Sequence, residues 1–243
     1  MIAPMSSNST VWAIIPAAGI GSRMQSETAK QYLRFQGKTV IEHCLDRLLS
    51  HPQIDGAIVV LREDDRIWDE LGYNSGKPVF TTSGGLERQH SVYSGLTTLQ
   101  YRLGNDAIAL VHDAVRPLVS HLDLSAVIDA ARQHAAGAIL ASRVTDTLKL
   151  QSDSMEIAST LPREQLWRAL TPQVFHLQAL LNAMKQVIDR DLAITDDAQA
   201  MELMGHSPAL VTGSSDNFKI TTRADLALAE MVWLYQRDQQ DNE

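Results

Sequence analysis

The chain has 243 residues, 44% of them hydrophobic and 13 of them glycine, which is enough apolar material for one large folded domain and too much for a disordered chain. A net charge of −8 and an isoelectric point near 5.4 exclude sequence-independent nucleic-acid binding, which needs a broad basic surface. The single cysteine permits no internal disulfide, no run reaches the length of a membrane span, and the N-terminus lacks the features of a secretion signal, so a cytoplasmic protein is expected.

Residues 11–15 read as a short buried strand that Pro16 stops. Behind it, Ala17, Ala18, Gly19 and Gly21 let backbone N–H groups approach an anion, and Arg23 and Lys30 add charge that backbone dipoles lack. This suits a nucleoside triphosphate; the plainer alternative is a tight turn with incidental basic residues. Neither common phosphate loop fits. Met24 stands where a dinucleotide fingerprint needs its third glycine, and no Gly-Lys-Ser/Thr closes the turn. Residues 40–50 form an amphipathic helix whose apolar face carries Cys44 into the core.

Further strands are expected at 57–61, 107–111, 138–142 and 209–211, and further helices at 64–71, 87–99, 122–135, 176–188, 196–204 and 222–237. The alternation predicts an α/β fold: a mostly parallel sheet with helices on both faces, and ligands beyond the carboxyl ends of its strands. Two segments stand at such ends. Gly84-Gly85 opens a helix with Arg88 and Ser91 in its first turn, where backbone N–H groups favour an electron-rich ligand edge. His112-Asp113-Ala114-Val115-Arg116-Pro117 puts a carboxylate and a guanidinium at one edge; a solvated ion pair is the alternative.

From 145 to 160 the period changes to two, then breaks at Ser152-Asp153-Ser154, then resumes at Met155. This reads as a protruding hairpin, packed on a second copy of the chain or folded back on its own domain. Polar chemistry recurs in three later segments: Arg163 to Gln173 with Arg168 and Thr171, then Thr195-Asp196-Asp197, then Asp216 to Thr221 with Lys219. Thr195 suits a helix N-cap, and Thr222 with Asp225 approximates a capping box for the last helix. The eight histidines show no metal-binding spacing, and no Gly-x-Ser-x-Gly elbow supports a serine hydrolase.

Taken in order, Pro16-Ala17-Ala18-Gly19-x-Gly21-x-Arg23-Met24 with Lys30-Gln31-Tyr32, Gly84-Gly85-x-Glu87-Arg88-x-x-Ser91, Val111-His112-Asp113-Ala114-x-Arg116-Pro117, Asp146-Thr147-x-Lys149, Leu170-Thr171-Pro172-Gln173, Thr195-Asp196-Asp197 and Asp216-Asn217-x-Lys219-x-Thr221 resemble the 2-C-methyl-D-erythritol 4-phosphate cytidylyltransferase family. The similarity runs from about Val11 to about Tyr235. It implies one Rossmann-like nucleotidyltransferase domain across residues 1–243, with a dimerising hairpin arm at about 145–162. It implies transfer of CMP from CTP to methylerythritol phosphate with loss of pyrophosphate, in the non-mevalonate route to isoprenoid precursors, and magnesium bound mainly through CTP phosphates.

Carried over residue by residue, the resemblance implies that Ala17, Ala18, Gly19 and Gly21 wrap the nucleotide, while Gly85, Arg88 and Ser91 recognise cytosine and ribose. Arg23 and Lys30 face the triphosphate. Asp113, Arg116, Thr147 and Thr171 line the methylerythritol side; Arg163, Thr195 and Lys219 hold its phosphate, Arg163 in the partner subunit's site. Arg23, Lys30, Arg163 and Lys219 are the catalytic set, with no protein metal ligand. Leu86, where many relatives carry a small or acidic residue, and Leu161-Pro162 before Arg163 depart from the pattern. Two alternatives stay open: a cytidylyltransferase for another alcohol phosphate, such as a pentitol phosphate, or a CTP-sensing module without turnover.

Overall fold

The computed structural model describes residues 9–19 and 29–240. Its main sheet has seven strands: β1 (Val11–Pro16), β4 (Gly56–Leu61), β5 (Val79–Ser83), β6 (Ile108–Val111), β7 (Ala138–Arg143), β10 (Trp167–His176) and β11 (Ala209–Thr212). They lie in the order β11-β7-β10-β6-β1-β4-β5. Between them come two small strands, β2 (Arg34–Phe35) and β3 (Lys38–Thr39), and a separate antiparallel pair, β8 (Leu148–Gln151) and β9 (Ile157–Leu161). Every neighbour pair in the main sheet is parallel except those made by β10, which runs antiparallel to both β6 and β7.

The period of two along β1 divides the core into two layers. Val11, Ala13 and Ile15 face a layer formed by α1 (Val40–Leu49) and α4 (His121–Gln133). Trp12 and Ile14 face a layer formed by α3 (Arg88–Leu103), α5 (Leu177–Asp189) and α6 (Asp197–Leu203). Strands buried on both faces read as unbroken apolar runs, which is why β1 and β4 were legible. Gly95 lets α3 lie against the sheet: a Cβ there would stand 2.7 Å from Ile14 Cγ2 and 2.9 Å from Val60 Cγ2. A smaller cluster of Phe35, Val40, Leu118, Ile220 and Ala229 seats α7 (Arg223–Gln240). Of the helix starts, α1 has a full capping box from Thr39 and Glu42, and Thr222 and Asp225 exchange the expected bonds at α7.

All seven expected helices form, α2 (Arg66–Leu71) being the shortest. Two strands of the main sheet were not expected. β5 has mixed burial, and β10 is interrupted by Pro172, which cannot donate to a ladder, with a register shift between Ala169 and Gln173. The hairpin is present as β8 and β9, which pair with each other outside the main sheet. Its second strand is β9, two residues beyond the expected start at Met155. Leu150, Met155 and Ile157 stay exposed on it.

Candidate active site

Two adjoining cavities lie beyond the carboxyl ends of the central strands. The first, of about 220 Å³, is bounded by the loop after β1, the start of α3 and the segment after β6. Ala17, Ala18, Gly19, Lys30, Gly85, Arg88, Ser91, Asp113 and Lys219 all line it. The second, of about 270 Å³, is lined by Arg116, Thr171 and Thr195 among others, and shares Arg88, Asp113 and Lys219 with the first. Those three side chains therefore form a common wall.

The loop after β1 is pinned to its neighbours through its backbone. Ala17 donates its N–H to the Val60 carbonyl at 2.8 Å, and the Ala17 carbonyl accepts from the buried Gln31 side chain at 2.7 Å. Across the cavity, Ser91 braces the glycine turn: its hydroxyl accepts from the Gly85 N–H at 3.3 Å and donates to the Glu87 carbonyl at 3.3 Å. Glu87 at the α3 N-cap offers no side-chain cap, so the dipole end of that helix is turned toward whatever fills the cavity.

The electrostatics of the common wall centre on Asp113. Lys219 Nζ donates to its Oδ2 at 3.0 Å, Arg116 Nε approaches the same oxygen at 3.4 Å, and Arg88 Nε approaches Oδ1 at 3.4 Å. Burial alone would raise the Asp113 pKa, but Arg88, Lys219 and Arg116 together hold it well below the ordinary carboxylate range. Arg88 also makes a two-pronged contact with Asp197, Nη1 to Oδ1 at 3.0 Å and Nη2 to Oδ2 at 2.8 Å. Burial works against its charge, and Asp197 and Asp113 more than offset that, so its pKa moves up.

Behind this wall lies a second layer of hydrogen bonds. The Thr171 hydroxyl accepts from the Asp113 N–H at 3.2 Å and pairs with His112 Nδ1 at 3.0 Å. His112 Nε2 meets the Arg116 carbonyl at 2.9 Å, and burial pushes the imidazole pKa down to about 4, so it is neutral near pH 7. Asn217 donates to the Thr171 carbonyl at 2.7 Å, and Arg116 donates to the Asn217 carbonyl at 2.7 Å. Gln173 bridges Asp196 Oδ2 and the Ala198 N–H, each at 2.8 Å, tying β10 to the start of α6.

Placement of the remaining expected residues is uneven. Gly21 and Arg23 lie outside the described residues. Thr147 and Arg163 belong to the arm, exposed and away from both cavities of their own chain; Arg163 donates to the Thr145 carbonyl at the arm's base. Thr195 lines the second cavity but is not the helix cap it was expected to be. Asp196 is the α6 N-cap, accepting from the Gln199 N–H at 3.0 Å, while Thr195 donates its N–H and hydroxyl to the Gln199 side chain. An aspartate accepts at an N-cap as well as a threonine does, and here it stands one residue nearer the first turn. Sequence reasoning also missed Asp197, Asn217, Gln173 and His112 as a supporting set. The one available signal was the doubled acid at 196–197, since a cap needs only one.

The family model described as "IspD: 2-C-methyl-D-erythritol 4-phosphate cytidylyltransferase" matches residues 11–234. The chain belongs to this family. A 2-C-methyl-D-erythritol 4-phosphate cytidylyltransferase of Vibrio atlanticus is 46% identical over 221 residues, covering 91% of this chain and 94% of the relative. One of Stenotrophomonas maltophilia is 45% identical over 225 residues, covering 93% and 97%. Among solved structures, the Francisella tularensis 2-C-methyl-D-erythritol 4-phosphate cytidylyltransferase superposes with a TM-score of 0.80 at 32% identity, covering 92% of this chain and 100% of that one. The Thermus thermophilus enzyme gives 0.75 at 30% identity, covering 92% and 98%. As a family member, the chain is a nucleotidyltransferase that moves a cytidylyl group from CTP to 2-C-methyl-D-erythritol 4-phosphate in isoprenoid precursor synthesis. Among the described residues, no helix is long and apolar enough to cross a membrane.

Proposed function

We propose that the first cavity holds CTP and the second holds methylerythritol phosphate, so that the phosphorus under attack sits at their common wall. The observation that carries this reading is that Lys219, Arg88 and Asp113 line both cavities. A phosphate monoester oxygen of one substrate attacks the α-phosphorus of the other, a new P–O bond forms, and the bond to pyrophosphate breaks with its electron pair leaving on the pyrophosphate oxygen. No covalent protein intermediate is required. The barrier is mainly the repulsion between two polyanions, and fixed cations at their meeting point lower it.

On this reading Lys30 steadies the triphosphate and Lys219 steadies the attacking phosphate. Asp113 keeps Arg88, Arg116 and Lys219 oriented before substrate arrives, and incoming phosphate and hydroxyl groups then take over their donors. Ala17, Ala18, Gly19, Gly85 and Ser91 enclose the nucleotide; Arg116, Thr171 and Thr195 meet the methylerythritol phosphate. Arg23 completes the cation set, and Thr147 and Arg163 reach the neighbouring subunit's site in a homodimer. Among the described residues, no group of three or more His, Cys, Asp or Glu could cage a metal ion, and Asp113 is engaged by three cations. That donor set suits magnesium carried in on the triphosphate, where it would supply charge neutralisation and fix the phosphate conformation. A cytoplasmic location agrees with the free, buried thiol of Cys44.

The test is pyrophosphate release from CTP and magnesium with methylerythritol phosphate or a pentitol phosphate as acceptor. Strong preference for the first is expected. Lys219→Ala and Lys30→Ala should each lower turnover by about 100-fold with the fold intact. Near-normal rates in both variants would reject the assignment of the common wall.

A further inference from the structure

A third cavity, of about 530 Å³, shares no lining residue with the two substrate cavities. It opens between the β2–β3 turn, α1, the start of α4 and α7. Lys38, Arg47 and Arg237 line it against a single carboxylate, Asp46, which Lys38 already holds at 2.6 Å. This local excess of positive charge stands in a chain whose net charge is −8, so it is not a sample of a generally basic surface.

Arg47 is half-buried, and burial draws its pKa down. Among the described residues its side chain has one partner, the Gln236 Oε1 at 3.3 Å, and no carboxylate. A guanidinium has five N–H donors in a planar fork that matches the oxygens of a phosphate, so most of its capacity is unspent. Arg237, on the other side of the opening, stacks over Trp233 with its guanidinium carbon 5.2 Å from the ring centre and pairs with Asp238 only at 3.9 Å. Trp233 in turn stands edge-on to His43, ring centres 5.4 Å apart. The two histidines add no charge to the cavity: His43 Nε2 meets the Phe35 carbonyl at 2.9 Å, His121 Nε2 meets the Arg47 carbonyl at 3.1 Å, and burial lowers both pKa values. The wall thus combines two guanidinium groups with an aromatic shelf.

We propose that this cavity is a binding site for a phosphorylated small molecule, its phosphate held by Arg47 and Arg237 and its apolar or aromatic part lying on Trp233. Such a ligand takes up donors that the fold itself leaves unused, and the indole supplies the stacking surface. The site goes beyond the transfer reaction, because none of its residues belongs to the catalytic wall.

Phenyl phosphate and inorganic phosphate serve as probes, titrated at constant ionic strength into the full ¹⁵N-labelled chain. The indole signal of Trp233 is one of four and is assigned from Trp233→Phe. Phenyl phosphate should shift that signal saturably, and inorganic phosphate should do so more weakly. Arg47→Gln and Arg237→Gln should each weaken phenyl phosphate binding by about tenfold or more, while both retain wild-type pyrophosphate release. Arg237 is exposed, so its variant keeps the test valid if Arg47→Gln folds poorly. No saturable shift of Trp233 by about 10 mM probe, or unchanged affinity in the Arg237 variant, would overturn the site. Equal affinity for the two probes would overturn the role given to Trp233.

Discussion

Arg88 and Arg163 are both arginines assigned to the same reaction, yet the chain treats them in contrasting ways. Arg88 is gripped by Asp197, which is fully buried, and by Asp113 in the common wall of the first two cavities. Arg163 is exposed at the base of the arm, where it donates to the Thr145 backbone carbonyl. A guanidinium held by two carboxylates keeps one orientation with or without ligand. One held by a backbone bond in the exposed segment after β9 is fixed far less tightly. The wall is therefore built from residues of one chain, whereas on the reading proposed above the arm reaches a second chain.

The sharpest way to break the first half of that contrast is Asp197→Ala. It removes the fully buried carboxylate beside Arg88, whose partly exposed guanidinium keeps Asp113, so the loss should be about 1.5–3 kcal/mol of stability, read by urea denaturation; a loss below about 0.5 kcal/mol would mean that Arg88 finds other company. Next comes acidification. Because the His112 pKa is lowered from 6.5 to about 4, the unfolded chain binds a proton that the folded chain refuses between those values. The stability contributed by keeping this ring neutral is full above pH 6.5 and is lost as pH falls toward 4, amounting to roughly 3 kcal/mol. His112→Gln should flatten the slope of stability against pH in that window.

The arm should behave in the opposite manner. Arg163→Ala should lower activity while leaving stability within about 0.5 kcal/mol of wild type, as an exposed substitution does. Mixed with a Lys30→Ala chain, it should partly recover pyrophosphate release, because one site in each mixed dimer then has both cations intact; absence of recovery argues that the arm does not cross. The smallest effect is expected from Lys149→Ala, which removes only the exposed bond from Lys149 Nζ to Thr160 Oγ1 at 2.7 Å. Both stability and turnover should remain within error, and a large change in either would show that the arm packs more tightly than it stands here.

Much of this fold is legible in the sequence. The helices and the doubly buried strands announce themselves through period and apolar runs, and the cations Lys30 and Lys219 lie in motifs that point to a phosphorylated ligand. β5 and β10 were not readable for a physical reason. An edge strand with mixed burial and a strand broken by Pro172 lack the periodic signal, and their pairing is decided by neighbours far away in sequence. The same non-locality hid the supporting layer. Asp197 meets Arg88 across 109 positions, and Asn217 meets Thr171 across 46. Thr195 shows the limit at short range, since three polar residues in a row leave the choice of cap to the backbone.

Gly84 bears on how this enzyme could be re-engineered. Its N–H donates to the Leu61 carbonyl at 2.7 Å, and a methyl group placed on it would come within 2.7 Å of both Ala18 Cβ and Ser91 Oγ. Any larger residue would push Ala18 and Ser91, on opposite sides of the first cavity, apart. Libraries built to reshape the first cavity should therefore hold position 84 constant and diversify Leu86, whose side chain is fully exposed at the cavity rim with no packing to lose.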